Sequence, residues 1–111
     1  MLPFVTMINK TFNETYLFGY TSHQDLVLNP VDNWERRDII VSPLYNENEK
    51  TVEYSIYHLE FRFWKYRGCF FEVENKANSL SEAKKYLILG MSKNRSWSYS
   101  KELKQLLIDN D

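Results

Sequence analysis

The alternation of apolar and polar positions is strongest in residues 51–75, TVEYSIYHLEFRFWKYRGCFFEVEN, which also hold eight of the eighteen aromatic side chains, between Tyr54 and Phe71. Successive strand residues point to opposite faces, so two alternating runs joined at a turn predict a long β-hairpin. Side-chain parity then discriminates between loops. A two-residue Tyr66-Arg67 loop sets Phe61 opposite Glu72 and Arg62 opposite Phe71, which mixes core and surface types on both faces. A three-residue Tyr66-Arg67-Gly68 loop pairs Phe63 with Phe71 and Phe61 with Val73 on one face. Arg62 then meets Glu72, and Trp64 meets Phe70, on the other. Gly68 takes the left-handed position of such a loop without steric cost. Aromatic and opposite-charge cross-strand pairs contribute roughly 0.2–1 kcal/mol each. The one mismatch is Glu60 against Glu74. The pattern therefore predicts the three-residue loop. Leu59, Phe61, Phe63, Cys69, Phe71 and Val73 then turn to the core, and His58, Arg62, Trp64, Phe70 and Glu72 away from it.

The flanking segments read more simply. Residues 4–8 form a short first strand or an unstructured lead, and residues 15–21 form a strand with Tyr16, Phe18 and Tyr20 on one face. A turn at 22–25 leads to a short strand over 25–28, closed by Asn29-Pro30. Residues 32–35 make a turn or a single helical turn capped by Asp32 or Asn33. Residues 37–45 hold the β-branched run Ile39-Ile40-Val41, and Pro43 marks that strand as an edge or as a strand with a break. Beyond Asn75 the period changes. Ser79 and Glu82 have capping-box spacing, and Leu80, Ala83, Leu87 and Met91 form a helical stripe ending near Gly90, a C-terminal cap. A buried strand over 86–89 is the competing reading. A second helix starts near Ser98 or Ser100, with Leu103, Leu106 and Leu107 on its apolar face. Strands followed by helices predict an α+β domain spanning 1–111: an antiparallel meander with a central long hairpin, and two C-terminal helices packed on one face.

Composition narrows the class. The chain has 111 residues, 16% aromatic, and a net charge of −1. Residues 1–60 hold nine acids and four bases, whereas 61–111 hold six acids and ten bases. On folding, these charges are expected to intermingle. Cys69 is the only cysteine, which excludes an internal disulfide and favours a reducing compartment. The first residues lack the basic and apolar regions of a secretory signal, and no apolar run is long enough to span a membrane. The expectation is a cytoplasmic protein.

Chemistry is sparse. There is no phosphate loop, dinucleotide fingerprint or nucleophile elbow, and two histidines with one cysteine have no metal-ligand spacing. No cofactor is implied. A His23/His58 acid–base pair for phosphodiester cleavage, helped by Lys65 or Arg67, is outweighed by structural roles for both histidines. The expectation is a protein that is not an enzyme. Residues 61–68, FRFWKYRG, interleave aromatic with basic residues, as a sheet that stacks single-stranded RNA or DNA would. Arg62, Trp64, Tyr66, Arg67, Phe70 and Glu72 also combine the Trp, Tyr and Arg types that dominate protein-interface hot spots. Protein binding explains them with fewer assumptions. Glu47, Glu49 and Glu53 form a second candidate surface, suited to a basic partner.

In size, aromatic richness, α+β order and lack of catalytic equipment, the chain resembles small bacterial immunity proteins that neutralise a cognate toxin, including those of contact-dependent growth inhibition systems. The resemblance implies a tight complex with a toxin domain. It rests on no motif, so no site residue follows from it. Phage-encoded inhibitors of host defence share the same character.

Overall fold

Phe4, Ile8 and Phe12 stand four residues apart, the spacing that lines one face of a helix, and the chain opens with helix α1 (Leu2–Thr11). All three side chains are buried, and the Phe4 ring lies 5.5 Å from that of Tyr54. The strand or lead expected over residues 4–8 is therefore wrong, because a five-residue window is too short to reveal a period that includes Phe12. The computed structural model describes residues 2–22, 24–33 and 35–109, with the backbone alone for Leu2, Ser22, Asn46 and Trp64.

Five strands follow: β1 (Phe18–Ser22), β2 (Asp25–Asn29), β3 (Ile39–Asn46), β4 (Thr51–Trp64) and β5 (Arg67–Ala77). They pair antiparallel with their neighbours in chain order, a pure meander. Helix α2 (Leu80–Ser92), a 3₁₀ turn (Arg95–Trp97) and helix α3 (Lys101–Asp109) complete the chain. The α+β class and the two C-terminal helices are as expected. The strand alternative for 86–89 is overturned, since Leu87 and Ile88 are consecutive buried residues of α2.

The starts of α2 and α3 carry caps. Ser79 Oγ accepts the Glu82 N–H at 3.2 Å, while the Glu82 carboxylate reaches the N–H of Asn78. Ser100 Oγ accepts the Leu103 N–H. Gly90 is not the C-terminal cap, because Lys93 fills that position. Gly90 is instead a point of close approach: a Cβ there would lie 3.0 Å from His58 Cβ, so its absence lets α2 settle onto β4. Asn33 Oδ1 accepts the Glu35 N–H, giving the turn expected at 32–35, of which Trp34 lies outside the described residues.

The core lies on one face of the sheet. Tyr54, Ile56 and His58 of β4 point into it beside Ile39 and Val41 of β3, Leu26 and Leu28 of β2, and Ala77 of β5. Ala83, Leu87 and Met91 of α2, with Leu103 of α3, close it from above, as their spacing predicts. The indole N–H of Trp97 donates to the Tyr16 carbonyl, and the Glu102 carboxylate accepts the N–H groups of Asn13 and Glu14. Those bonds fasten the segment ahead of β1 to the C-terminal helices.

The hairpin register departs from expectation. Trp64 pairs with Arg67, Phe61 with Phe70, Glu60 with Phe71 and His58 with Val73. The loop is the two residues Lys65 and Tyr66, both at positive φ (48° and 68°), the type I′ geometry whose twist matches the flanking strands. Gly68 is not a left-handed loop residue but part of β5. The odd residues of β4 share a face with the even residues of β5, so Leu59, Phe61 and Phe63 turn away from the core and His58 into it. The parity argument failed because it was anchored at the aromatic tip. The buried row that decides parity lies at the other end, around Ile56.

Pro43 stands opposite Tyr54 on β3, beyond the last β2–β3 pair, Leu26↔Val41. A proline there removes no bond to a second neighbour, which agrees with the predicted edge position; the strand itself runs unbroken through Pro43.

Two substitutions test this register. Ile56→Ala should lower stability by about 2–5 kcal/mol, as a buried large-to-small change does. Phe63→Ala should change it by less than about 0.5 kcal/mol, as at exposed positions. Urea denaturation of both variants checks it, and the opposite ranking would restore the three-residue loop.

Candidate functional site: a projecting hairpin and the groove at its base

β3 begins at Ile39, opposite His58, whereas β4 continues to Trp64. Among the described residues, 59–64 therefore pair with β5 alone. The molecule is correspondingly elongated, 47 × 32 × 31 Å. At about 3.4 Å per residue the overhang measures roughly 20 Å.

The chain leaves β4 at this point because of one buried side chain. Asn29, 0% exposed, donates from Nδ2 to the carbonyls of Asn33 and Arg36 and accepts the Asp38 N–H on Oδ1. It thus captures the 33–38 connection and draws residue 38 toward β2. Asp38 is held in turn by Arg36, at 2.6 Å, and by Asn94 Nδ2. These contacts tie the chain ahead of β3 to the segment that follows α2.

The overhang is apolar on its outer face. Phe61 meets Phe63 and Phe70 edge to face, each at 5.3 Å between centroids, yet Phe63 is 78% and Phe70 70% exposed. Gly68 accommodates this cluster, since a Cβ there would fall 2.2 Å from Phe61 Cζ. On the other face, Glu60 Oε1 bonds His58 Nε2 at 3.0 Å, and Glu60 Oε2 accepts from Arg62. The Arg62 guanidinium lies 5.8 Å over the Phe71 ring. A chain of contacts thus runs from the core at His58 to the exposed Arg62. The His58 bond, followed by that of Arg62, holds the Glu60 carboxyl at about 2, well below its ordinary 4.5.

Between the overhang and the body runs a groove of about 900 Å³, lined by Leu59, Phe61 and Phe70, by Arg36, Arg37 and Asp38, and by residues 93–96. Its two acids, Asp38 and Glu60, are already engaged. Among the described residues, the side chains of Arg37, Lys93 and Arg95 have no partner, and all three are exposed. The groove is apolar on one wall and cationic on the other.

The residues singled out from the sequence distribute as follows. Arg62 lies on the core-side face; Phe70 and Glu72 lie on the outer face, so these do not form the single surface expected. Tyr66 is fully exposed at the loop and Arg67 exposed beside it. Trp64 closes the hairpin through its backbone, and its side chain lies outside the described part. Cys69 is half-buried on the core-side face, beyond the helices. Glu47 and Glu49 are exposed in the β3–β4 connection, and Glu53 is half-buried opposite Leu44, all at the far end of β4. Charges of both signs occur at each end: Glu60 and Glu72 share the arm with Arg62 and Arg67, and Lys50 shares the β3–β4 connection with Glu47 and Glu49. Sequence reasoning missed Phe61 and Phe63, which it buried, and the groove cations Arg36 and Arg37. The signal available was the length of the alternating run, longer than two helices can cover.

His58 is buried beneath Gly90, and His23 lies outside the described residues. Among the described residues no His, Cys, Asp or Glu cluster could hold a metal ion, and no helix is long and apolar enough to cross a membrane. No protein-family model matches the chain, nor does any curated protein or any solved structure.

Because Glu60 is more acidic folded than its ordinary value, its contribution to stability is complete above about pH 4.5 and is lost as pH falls toward 2. Glu60→Gln should therefore melt below wild type at neutral pH, with the gap closing between pH 4.5 and 2. Paired thermal melts across that range check it, and a gap independent of pH would remove the charge from the account.

Proposed function

We propose that this protein is a non-enzymatic, cytoplasmic inhibitor that binds another protein through the projecting hairpin and the groove at its base. In kind it would be an immunity protein that occludes a toxin domain. The observation that carries this reading is the exposed cluster of Phe61, Phe63 and Phe70 on an arm with no helix against it. A contiguous apolar patch of this sort marks an interaction surface, since water contact at each ring is unfavourable until a partner covers it. Tyr66 stands exposed at the tip of the arm, and Arg62 and Arg67 lie exposed on its opposite face, residue types that anchor interfaces. Occlusion needs no chemistry from the inhibitor: about 1,200–2,000 Å² of combined buried surface suffices for a stable complex.

A second reading has one observation in its favour. Exposed Phe61 and Phe70 beside Arg37, Lys93 and Arg95 could stack and neutralise single-stranded RNA or DNA. The exposed aliphatic side chain of Leu59 and the outward Glu72 suit a protein partner better.

The test is co-expression with the product of the adjacent gene in a strain that the product kills. Wild type should protect the cells and co-purify as a stoichiometric complex. Phe63→Ala/Phe70→Ala should keep the wild-type melting temperature while losing protection and weakening the complex at least tenfold, the scale of a hot-spot loss of about 2 kcal/mol or more. Failure of wild type to form a complex or protect would overturn the reading, as would salt-sensitive retention of single-stranded RNA on a filter with no protein complex.

A further inference from the structure

The two-residue loop also determines which backbone groups of the overhang are free. Trp64 and Arg67 close that loop, so they form the pair that exchanges both backbone hydrogen bonds. Alternation along the ladder then gives Arg62 and Glu60 the next bonds to β5. The N–H and C=O groups of Phe61 and Phe63 point the other way, to the side that β3 vacates at Ile39. Among the described residues, no strand pairs with them on that side, since β3 reaches no further than His58. A free edge of this length, roughly 17 Å for residues 60–64, accommodates a strand of ordinary size.

Most exposed edges are blunted by charge, proline or a bulge. On this one, Phe61 and Phe63 alternate with Glu60 and Arg62, and Glu60 is folded back onto His58. The lane beside it is the groove, bounded by Arg37 where the chain departs toward Asn29 and by Lys93 and Arg95 where it leaves α2. α2 covers the Tyr54, Ile56 and His58 face of the sheet, whereas Phe61 stands on the opposite face. A strand laid in this lane would alternate between the two. Side chains on one face would meet the aromatic cluster, and those on the other would meet cations with no partner.

We propose that the free edge of β4 takes up an extended segment of the partner protein as an added β-strand, in which apolar residues alternate with Asp or Glu. Phe61 and Phe63 supply two backbone donors and two acceptors. The aromatic cluster takes the apolar side chains, and Arg37, Lys93 and Arg95 select the acidic ones. The strand continues the line of β3 from the point where Asp38 turns away. This inference rests on the inhibitor reading for the identity of the partner, but not for the chemistry of the lane.

The probe is a library of random peptides of about eight residues, the length of an ordinary strand, displayed on phage and selected on the full chain. Selected peptides should alternate apolar with acidic residues. A synthetic copy should bind at least about tenfold more weakly when alternate amides facing the edge are N-methylated, because two ladder hydrogen bonds are lost. Methylation of the intervening amides should have little effect. The exposed-site variant Arg37→Glu/Lys93→Glu/Arg95→Glu should weaken binding about tenfold or more and reverse the preference toward basic peptides, as opposed charges at an interface do. Selection of no peptide, of peptides without acidic enrichment, or of peptides indifferent to N-methylation would overturn the proposal. So would binding of a short oligouridylate to this lane with no peptide selected.

Amide exchange in the complex with the toxin separates the two readings. Protection of the Phe61 and Phe63 amides supports both. A complex that leaves them unprotected overturns strand addition while keeping the inhibitor. Peptide binding without any complex keeps strand addition and removes the toxin partner.

Discussion

Burial of Tyr54, Ile56 and His58 under α1 and α2 fixes the parity of β4, and the rest of the hairpin follows from it. Each side chain in that row comes from an even position, and because a strand alternates, every odd position must face outward for the full length of β4. The row also dictates the partner. Ala77 stands opposite Tyr54 in the buried layer, so β5 must turn back after Trp64 with only two residues between. Lys65 and Tyr66 adopt left-handed backbone to make that turn, which is unfavourable for residues with a Cβ. The strain is tolerated because a one-residue slip of β5 would carry Ala77 and Val73 off the core face.

The arm is a consequence of unequal lengths. Fourteen residues of β4 run roughly 45 Å, while a thirteen-residue helix such as α2 covers about 20 Å. The helical layer therefore cannot shield the whole core-side face of the hairpin, where Arg62 and Phe71 stand exposed, and Phe61, Phe63 and Phe70 lie on the face opposite the core. Internal contacts keep this part ordered: Phe61 across Gly68, Arg62 between Glu60 and Phe71, and Glu60 back to His58. A pre-ordered arm loses less conformational freedom on binding than a loose one, which favours tight association.

A single buried amide shapes the other side of the site. Asn29 satisfies three backbone groups of the 33–38 connection, and those groups would otherwise have continued along β4 or sought water. The loop it holds delivers Arg37 to the groove and Asp38 to Asn94. The same side chain that ends β3 thus leaves the β4 edge open. Lys93 and Arg95, which follow α2, come to lie beside the same end of β4.

What the sequence determined by itself was whatever depends on local period and capping. The meander of strands, the stripe of Ala83, Leu87 and Met91, the capping box at Ser79, a helix start near Ser100 and the edge position of Pro43 were legible because each involves neighbours within a few residues. The α+β class followed from their order. Tyr66, Arg67 and Phe70, singled out from the sequence, are exposed on the arm. The assignment of faces was not. Parity is relative along a strand, and only packing against α1 and α2, which lie far away in sequence, says which parity is inside. Read from the tip, the aromatic run looked like core; in the folded chain, its core end is Ile56 and its aromatic end stands in water. The groove was equally beyond the sequence, because Asn29, Arg37, Phe61 and Arg95 share no local pattern and meet only through the tertiary fold.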